Sequence, residues 1–395
     1  MSTTLSSKFV ALPTELVDLV SSHAADNDLV ALCRTNRRVY DVCLRWIYRK
    51  VLLPDACTAV SFFKAVISNK IAASYVLDLT MRFFLDGIFQ AFRHLLRIGM
   101  SNLTRLYELS IMTPDLLGLV FDIHFPHLRE CVVPLSESTT GFLRLHPKLA
   151  NLVVSDHLSR GLALPTSLSI PRTVLPNLTT FMGPHTVAPW LLPGSPTTLA
   201  SITYHCLAPN PYLPVLTSLA NSVPTLRTLI STVMRWNPNL PAAIAAHLPR
   251  LYGIKIRHSR ISHPDDESDL PPFLLSLDEM IRSLPDLTAM HITSTPHRPP
   301  DDRSAEFEHV RRWGDISPEF CLCLLPTGTR WVRLPTYNIW FPTESAGAVD
   351  WFIKEVLRST SLPSAYIAAL EGLCGKDRVA KLRRIVLTLP PDALQ

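Results

Sequence analysis

The side chains with the most chemical potential in this sequence are its fourteen histidines and eight cysteines. His258 and His263 flank an acidic stretch, and His291 and His297 lie near Asp301-Asp302. Such groups could hold a divalent cation, but structural zinc sites use tighter paired ligands, typically Cys-x-x-Cys with a second pair. No Cys-x-x-Cys occurs, and the close pair Cys321 and Cys323 is not read as a chelate. The sequence also lacks Gly-x-x-x-x-Gly-Lys-Ser/Thr, Gly-x-Gly-x-x-Gly, Gly-x-Ser-x-Gly and His-Glu-x-x-His. Phosphate loops, nucleophile elbows and zincin helices carry those local signatures. The expectation is a protein that performs no bond chemistry and uses no cofactor or metal, with its histidines solvated or locally bonded. The competing reading is an enzyme on an α/β fold whose catalytic residues are distant in sequence, as triads are.

Composition narrows the remaining classes. Of 395 residues 47% are hydrophobic and only 18% charged, so the chain has the material for a large or elongated core. The formal net charge is +5, with Lys and Arg spread thinly and the densest cluster between Lys376 and Arg384. Nucleic-acid binding needs a contiguous basic face, so no nucleic-acid partner is expected. Thirty-four prolines against thirteen glycines argue for many short elements ended by the ring. Scattered cysteines fit free thiols in a reducing compartment. The first residues contain a short apolar run broken by Pro13 and Glu15, and no stretch of about eighteen uncharged apolar residues occurs. A soluble cytoplasmic or nuclear protein without a membrane partner is the corresponding expectation.

The elements that must position any binding surface begin at Leu12. Leu-Pro-Thr-Glu-Leu opens a helix, since proline in the first turn gives up no needed donor and the glutamate suits the positive helix end. Leu16, Val17, Leu19 and Val20 follow at helical spacing. Asn27-Asp28 reads as a cap ahead of Leu29, Val30, Leu32 and Cys33. A third segment carries Val39, Tyr40, Val42, Cys43, Trp46, Ile47 and Tyr48. Three short helices approach the lower size limit for an independent core, so this module must lean on something else.

These residues resemble an F-box, the module by which substrate receptors dock onto the Skp-type adaptor of cullin-RING ubiquitin ligases. The matching positions are Leu12-Pro13, Glu15-Leu16, Asp28-Leu29 with Leu32, Asn36-Arg37, and Trp46-Ile47-Tyr48-Arg49-Lys50-Val51. In one departure, the first helix ends Ser21-Ser22-His23-Ala24-Ala25 where that family carries large apolar residues. The resemblance implies adaptor contacts from Leu12, Pro13, Leu16, Val20, Leu29, Leu32, Trp46 and Tyr48, with Leu16 and Leu32 the first candidates for internal packing.

Beyond the module, Cys57 to Ile67 has the spacing of one more amphipathic helix. From residue 75 a short pattern recurs: apolar, two variable, apolar, one variable, apolar, often with proline two positions ahead. Copies are Val76-Leu79-Met81, Leu106-Leu109-Ile111, Leu128-Cys131-Val133, Leu149-Leu152-Val154, Leu178-Phe181-Gly183, Leu199-Ile202-Tyr204, Leu226-Leu229-Ser231, Leu251-Ile254-Ile256 and Leu287-Met290-Ile292, with a weak last one at Thr329-Val332-Leu334. This is similar to the leucine-rich repeat signature, in which a strand and a helix per repeat stack into a solenoid. The steps are irregular, and the usual asparagine after each strand is missing, so the backbone groups it would satisfy must find other partners. Helical spacing between strands covers 115–123, 212–223, 242–248 and 273–284.

Two insertions, 262–272 and 294–304, have loop composition and could contact a partner. After residue 310 the sequence turns aromatic, with helices expected at 350–358 and 364–373 and an unresolved helix or strand at 378–389. The expected fold is α/β: residues 1–11 as a tail, an F-box module over 12–53, a linker helix over 54–74, an irregular solenoid over 75–310 and a capping region over 311–395. The combination resembles F-box proteins with leucine-rich repeats, of the kind expanded in mushroom-forming fungi. It implies a substrate receptor that binds the Skp-type adaptor, and through it a cullin, and presents an unknown target protein. Candidate target contacts are the strand residues turned away from the core: Arg129, Glu130, Val132, Thr180, Met182, Arg227, Ile230, Lys255, Arg257 and His291. They form no single-sign patch in sequence, which suggests a mixed protein or peptide surface. The alternative is a non-enzymatic interaction scaffold whose helical module no longer binds the adaptor.

Overall fold

The computed structural model describes residues 12–84, 90–155, 175–204, 212–259, 269–295, 303–334, 336–343, 346–359, 362 and 364–388. It is an α/β protein with mostly parallel strands that follow one another in chain order, divided into two compact units, Met1–Thr197 and Thr198–Gln395.

The first unit opens with α1 (Thr14–His23), α2 (Asp26–Cys33) and α3 (Arg37–Arg49). The Pro13 carbonyl accepts the amides of Leu16 and Val17, both at 3.1 Å, which starts α1 without a side-chain cap. Asn27-Asp28 lie inside the first turn of α2 rather than capping it, because the helix already begins at Asp26. Asn36 caps α3, its Oδ1 accepting from the Val39 amide at 2.9 Å. Helix α3 then runs directly into β1 (Lys50–Leu53), which pairs in parallel with β2 (Asp78–Met81). The sheet therefore starts at Lys50 and not near residue 75. The stretch expected as one linker helix is two, α4 (Ala56–Ser68) and α5 (Lys70–Tyr75), capped by Asp55 and Asn69.

Strands β3 (Glu108–Ile111), β4 (Glu130–Pro134), β5 (Asn151–Ser155) and β6 (Thr180–Pro184) follow, each parallel to the one before it. Parallel neighbours require a crossover connection, and α6 (Gln90–Ser101), α7 (Pro114–Val120) and α8 (Glu137–Leu145) lie between β2 and β5. The short α9 (Ala188–Leu191) comes after β6. Strand alternation sends Leu79, Leu109, Cys131, Leu152 and Phe181 to the buried side in one row across the sheet.

The prolines have a specific job at the strand entries. In Phe125-Pro126-His127-Leu128, His146-Pro147-Lys148-Leu149 and Leu175-Pro176-Asn177-Leu178, the leucine N–H donates to the first residue's carbonyl at 3.2 Å. This is a β-turn with proline at its second position, where the ring presets φ and no donor is needed. The first and fourth residues of each turn are buried, so the turn closes over the core. Past the turn, one carbonyl per repeat serves two amides of the next: Tyr107 O takes Arg129 and Glu130, and Arg129 O takes Ala150 and Asn151. At the strand exits, Arg82 N–H donates to Leu53 O at 3.0 Å and Met112 N–H to Met81 O at 3.2 Å. At these two exits the neighbouring strand supplies the partner.

The second unit continues with β7 (Leu199–Thr203), β8 (Thr228–Val233), β9 (Gly253–Ser259) and β10 (Ala289–Thr295), all parallel, with α10 (Leu213–Ser222), α11 (Asn239–His247) and α12 (Leu270–Ser283) between them. The same proline turn recurs before β8 and β10, with Leu226 and Leu287 donating to Val223 and Leu284. Two repeat assignments are corrected by the register. Ala200 and Ile202 pair with Leu229 and Ser231, so the repeat at β7 reads Thr197-Ala200-Ile202, and Leu199 falls on the open face. Thr197 is fully buried where other repeats carry leucine, its hydroxyl donating to Leu178 O at 3.1 Å. The last parallel strand is β11 (Leu322–Leu324), in which Cys323 pairs with Met290. Its repeat, Phe320-Cys323-Leu325 after Pro318, is fully buried and escapes the leucine pattern because phenylalanine and cysteine replace leucines. Thr329-Val332-Leu334 is not a repeat: Val332 and Leu334 lie in β12 (Arg330–Leu334), which is antiparallel to β11 and buries Trp331 instead of Val332.

Strand β13 (Ile339–Thr343), antiparallel to β12, carries Pro342, which suits an edge position because it has no ladder donor to lose. Helices α13 (Arg303–Ile316), α14 (Ala346–Arg358), α15 (Ser364–Cys374) and α16 (Lys376–Thr388) complete this unit, and the ambiguous last segment is helical. An aromatic cluster holds this end together: the Phe307 ring lies 5.3 Å from Trp331, 5.5 Å from Phe352 and 5.7 Å from Tyr366. Of the two expected insertions, residues 262–268 and 296–302 lie outside the described residues. Their flanks belong to elements, since Leu270 opens α12 and Thr295 ends β10.

Candidate functional site

Helices α1 to α3 enclose a small core of Val17, Leu29, Val39, Val42 and Cys43, with Leu12, Leu32, Trp46 and Ile47 packed against it. Arg38 ties the module's start to α3, donating to Leu12 O at 2.7 Å and to Thr14 Oγ1 at 2.8 Å. Trp46 Nε1 donates to Asp18 Oδ1 at 2.6 Å, Arg45 pairs with the same oxygen at 2.7 Å, and the Arg49 guanidinium sits 4.9 Å from the Trp46 ring. The polar end of α1 has a role in this packing. Ser21 is buried, donates to Val17 O at 2.7 Å and lies 3.4 Å from Cys43 Sγ.

With the core so arranged, the sequence-derived adaptor contacts separate. Leu16 is 46% exposed and Val20 45%, and Leu19 between them is 57% exposed. Positions i, i+3 and i+4 share one helix face, so these three form an apolar stripe, with exposed Pro13 one turn before Leu16. Leu16, a candidate contact that is also a first alternative for internal packing, is therefore a surface residue. Leu29, 3% exposed, is core and unavailable for contact. Leu12, Leu32 and Trp46 are partly buried within the module, Trp46 as a strut between α1 and α3. Tyr48 sits in the last turn of α3, just ahead of β1, and lies against Phe62 of α4, ring centroids 6.4 Å apart. Leu19, Val30 and Tyr40, which the sequence reading places in the helices but not among the contacts, are at least 40% exposed.

The open strand face of each unit is the second surface. In the first unit the register lines up Lys50, Asp78, Glu108, Glu130, Asn151 and Thr180 across six strands. Lys50 Nζ lies 3.9 Å from Asp78 Oδ2. Burial pushes the Asp78 carboxyl above its usual range, opposed by Lys50 and reinforced by Glu130. Glu108 is raised by burial and then by Asp78 and Glu130. A cavity of about 470 Å³ opens beside this row, lined by Lys50, Asp78, Tyr107, Glu108 and His127 among others. The next row outward holds Val132 and Met182, the latter 40% exposed.

The open face of the second unit has the opposite sign. Ile230, Lys255 and His291 pair in one row, and Thr232, Arg257 and Thr293 in the next. Burial pushes the Lys255 ammonium below its ordinary value, and Arg257 adds to that shift. The candidate target residues, which looked mixed in sequence, are thus segregated: Glu130 with other carboxylates in one unit, Lys255 and Arg257 in the other. Arg129 and Arg227 are not on the strand faces. They stand at the strand entries, and their guanidinium groups donate to Lys148 O and Arg250 O.

Among the described residues no group of three His, Cys, Asp or Glu side chains could hold a metal ion. His258 is buried and stacked on Trp236 at 4.9 Å, while His263 and His297 lie outside the described residues. His146 is a structural group: its Nε2 accepts from the Phe125 amide at 3.0 Å and its Nδ1 donates to Phe142 O at 2.7 Å. Cys321 and Cys323 differ in setting, one exposed and one buried, and all seven described cysteines are free thiols. No described helix is long and apolar enough to cross a membrane.

These features define a class, an α/β protein of sequential strand-and-helix units with a three-helix module at its start. No family model and no curated protein matches the chain.

Proposed function

We propose that this chain is the substrate-recognition subunit of a cullin-RING ubiquitin ligase, in which α1 to α3 act as an F-box and the repeat sheets present a target protein. The observation that carries the reading is the exposed stripe of Leu16, Leu19 and Val20 on a helical module whose own core is already filled. Large apolar side chains left in water on one helix face are favourable to cover, and the residues around them are those that resemble an F-box. The module passes without a linker into β1, so an adaptor held at α1 would be rigidly placed relative to the first repeats. In this role the chain performs no bond chemistry. It raises the local concentration of target lysines at a ubiquitin-charged partner enzyme. The work is done in the cytoplasm or nucleus, without cofactor.

Co-expression of the full chain with a Skp-type adaptor tests this reading. The expected result is a stable complex lost in Leu16→Asp. An absent complex, or one indifferent to Leu16→Asp and Leu19→Asp, would move the assignment to an interaction scaffold that does not bind the adaptor. That second reading is favoured by one observation: Ser21 is turned into the core, which shortens the apolar stripe to α1's first two turns.

A further inference from the structure

We infer that the open sheet face of the second unit docks an extended acidic segment of a partner protein, whose carboxylates are received by Lys255 and Arg257. This names the target class for the receptor reading and rests on it. Both cations lie on β9 two residues apart, so strand alternation puts them on one face. Their spacing along the strand is about 7 Å, the interval at which an extended peptide repeats its own side chains. The pairing neighbours on either side are Ile230, Thr232, His291 and Thr293, none of them anionic. Among the described residues, no outward position of β7 to β13 carries a carboxylate. Arg330 of β12 adds another guanidinium to the row that runs through Lys255, His291 and Leu324.

The local electrostatics favour an anionic visitor. Lys255 is partly buried, and its ammonium is destabilised by that burial and by Arg257. Neither side chain makes an ion pair or hydrogen bond among the described residues. A carboxylate set between them would offset a like-charge repulsion that the fold leaves standing. Two cations on one strand do not form the continuous basic track that a phosphate backbone requires, so an acidic polypeptide fits better than a nucleic acid.

The test uses the full chain and three labelled peptides of about ten residues, in which Glu, Gln or Lys alternates with Ser and Val. Fluorescence anisotropy at low salt should show the Glu peptide bound about tenfold more tightly than the Gln peptide, with the difference shrinking as salt rises. K255E/R257E should lose about tenfold for the Glu peptide and gain affinity for the Lys peptide, with an unchanged thermal unfolding curve. K255Q/R257Q serves if the reversal does not fold, and should lower Glu-peptide affinity without the gain for Lys. Equal binding of Glu and Gln peptides, no binding, or indifference to both double variants overturns the inference. So does tighter binding of a single-stranded RNA of the same length, or self-association abolished by K255E/R257E, which would make a second copy the occupant. Adaptor binding measured on the same preparations separates the two claims. Peptide binding without adaptor binding sinks the receptor reading alone, and adaptor binding without peptide binding sinks this inference alone.

Discussion

Replacing Leu16 by Asp tests whether the stripe on α1 is a docking surface or merely packing. Leu16, Leu19 and Val20 are 46%, 57% and 45% exposed. A fully exposed leucine or valine offers about 150–180 Å², so the three leave roughly 250 Å² in water, worth a gross ~6 kcal/mol if covered. Leu16 supplies about a third of this, ~2 kcal/mol, which corresponds to roughly a thirtyfold change in affinity. An aspartate there would add the cost of desolvating a charge, so adaptor binding should weaken by at least that factor. The folded chain itself should hardly notice, because surface substitutions away from packing usually change stability by about 0.5 kcal/mol or less. Leu29→Ala is the converse control. That residue is 3% exposed in a five-residue core, and its truncation should cost about 2–5 kcal/mol. Titration calorimetry with the adaptor and urea unfolding by circular dichroism read the two effects separately. Leu16→Asp binding within threefold of wild type would refute the docking argument. A loss of stability equal to that of Leu29→Ala would show that the stripe is covered from within.

Three further outcomes follow from the packing. The His146 imidazole is pushed down to about 4 by burial, opposed by its bond to Phe142 O, against 6.5 in an unfolded chain. Its neutral form is the one the fold needs, so its contribution is complete above pH 6.5 and is lost as pH falls towards 4, by up to roughly 3 kcal/mol. His146→Leu should therefore be less stable at pH 7 but show a flatter decline in urea midpoint between pH 7 and 4.5, and an unchanged slope would sink the assignment. Gly314 of α13 lies against the buried Trp340 indole, and an added Cβ would collide with it. Gly314→Ala should lower stability by about 1–3 kcal/mol despite alanine's better helix propensity, and a raised unfolding temperature would contradict that packing. Asn36→Ala removes the acceptor for the Val39 amide at the start of α3 and should cost about 1 kcal/mol in the same unfolding assay, whereas Asn36→Asp should retain most of the stability.

The local grammar of this protein was legible in its sequence. Proline two positions before a leucine announces a turn because the ring presets φ and the leucine must point inward, and the turns at Pro126, Pro147, Pro176, Pro224 and Pro285 all form in this way. Helices at 213–222, 239–247 and 270–283 follow from apolar spacing, displaced by a few residues where capping differs from expectation. The helical module was legible as three segments, and so were most of the residues on the open strand faces.

What sequence periodicity could not decide was which of two apolar faces a helix buries. On α1, Leu16, Val17, Leu19 and Val20 are equally hydrophobic, but only Val17 meets α3, since the crossing of two helices selects the face. Nor could it decide register. Leu199 looks like the better repeat residue, but pairing with β8 places Ala200 and Ile202 inward because every residue of a parallel ladder must follow its neighbour. The same rule recovers Phe320-Cys323-Leu325 and rejects Thr329-Val332-Leu334. Charge segregation between the two open faces has the same origin. Residues tens of positions apart become neighbours only when strands stack in register, so an average of mixed sign in sequence becomes carboxylates on the strands of one unit and cations on those of the other.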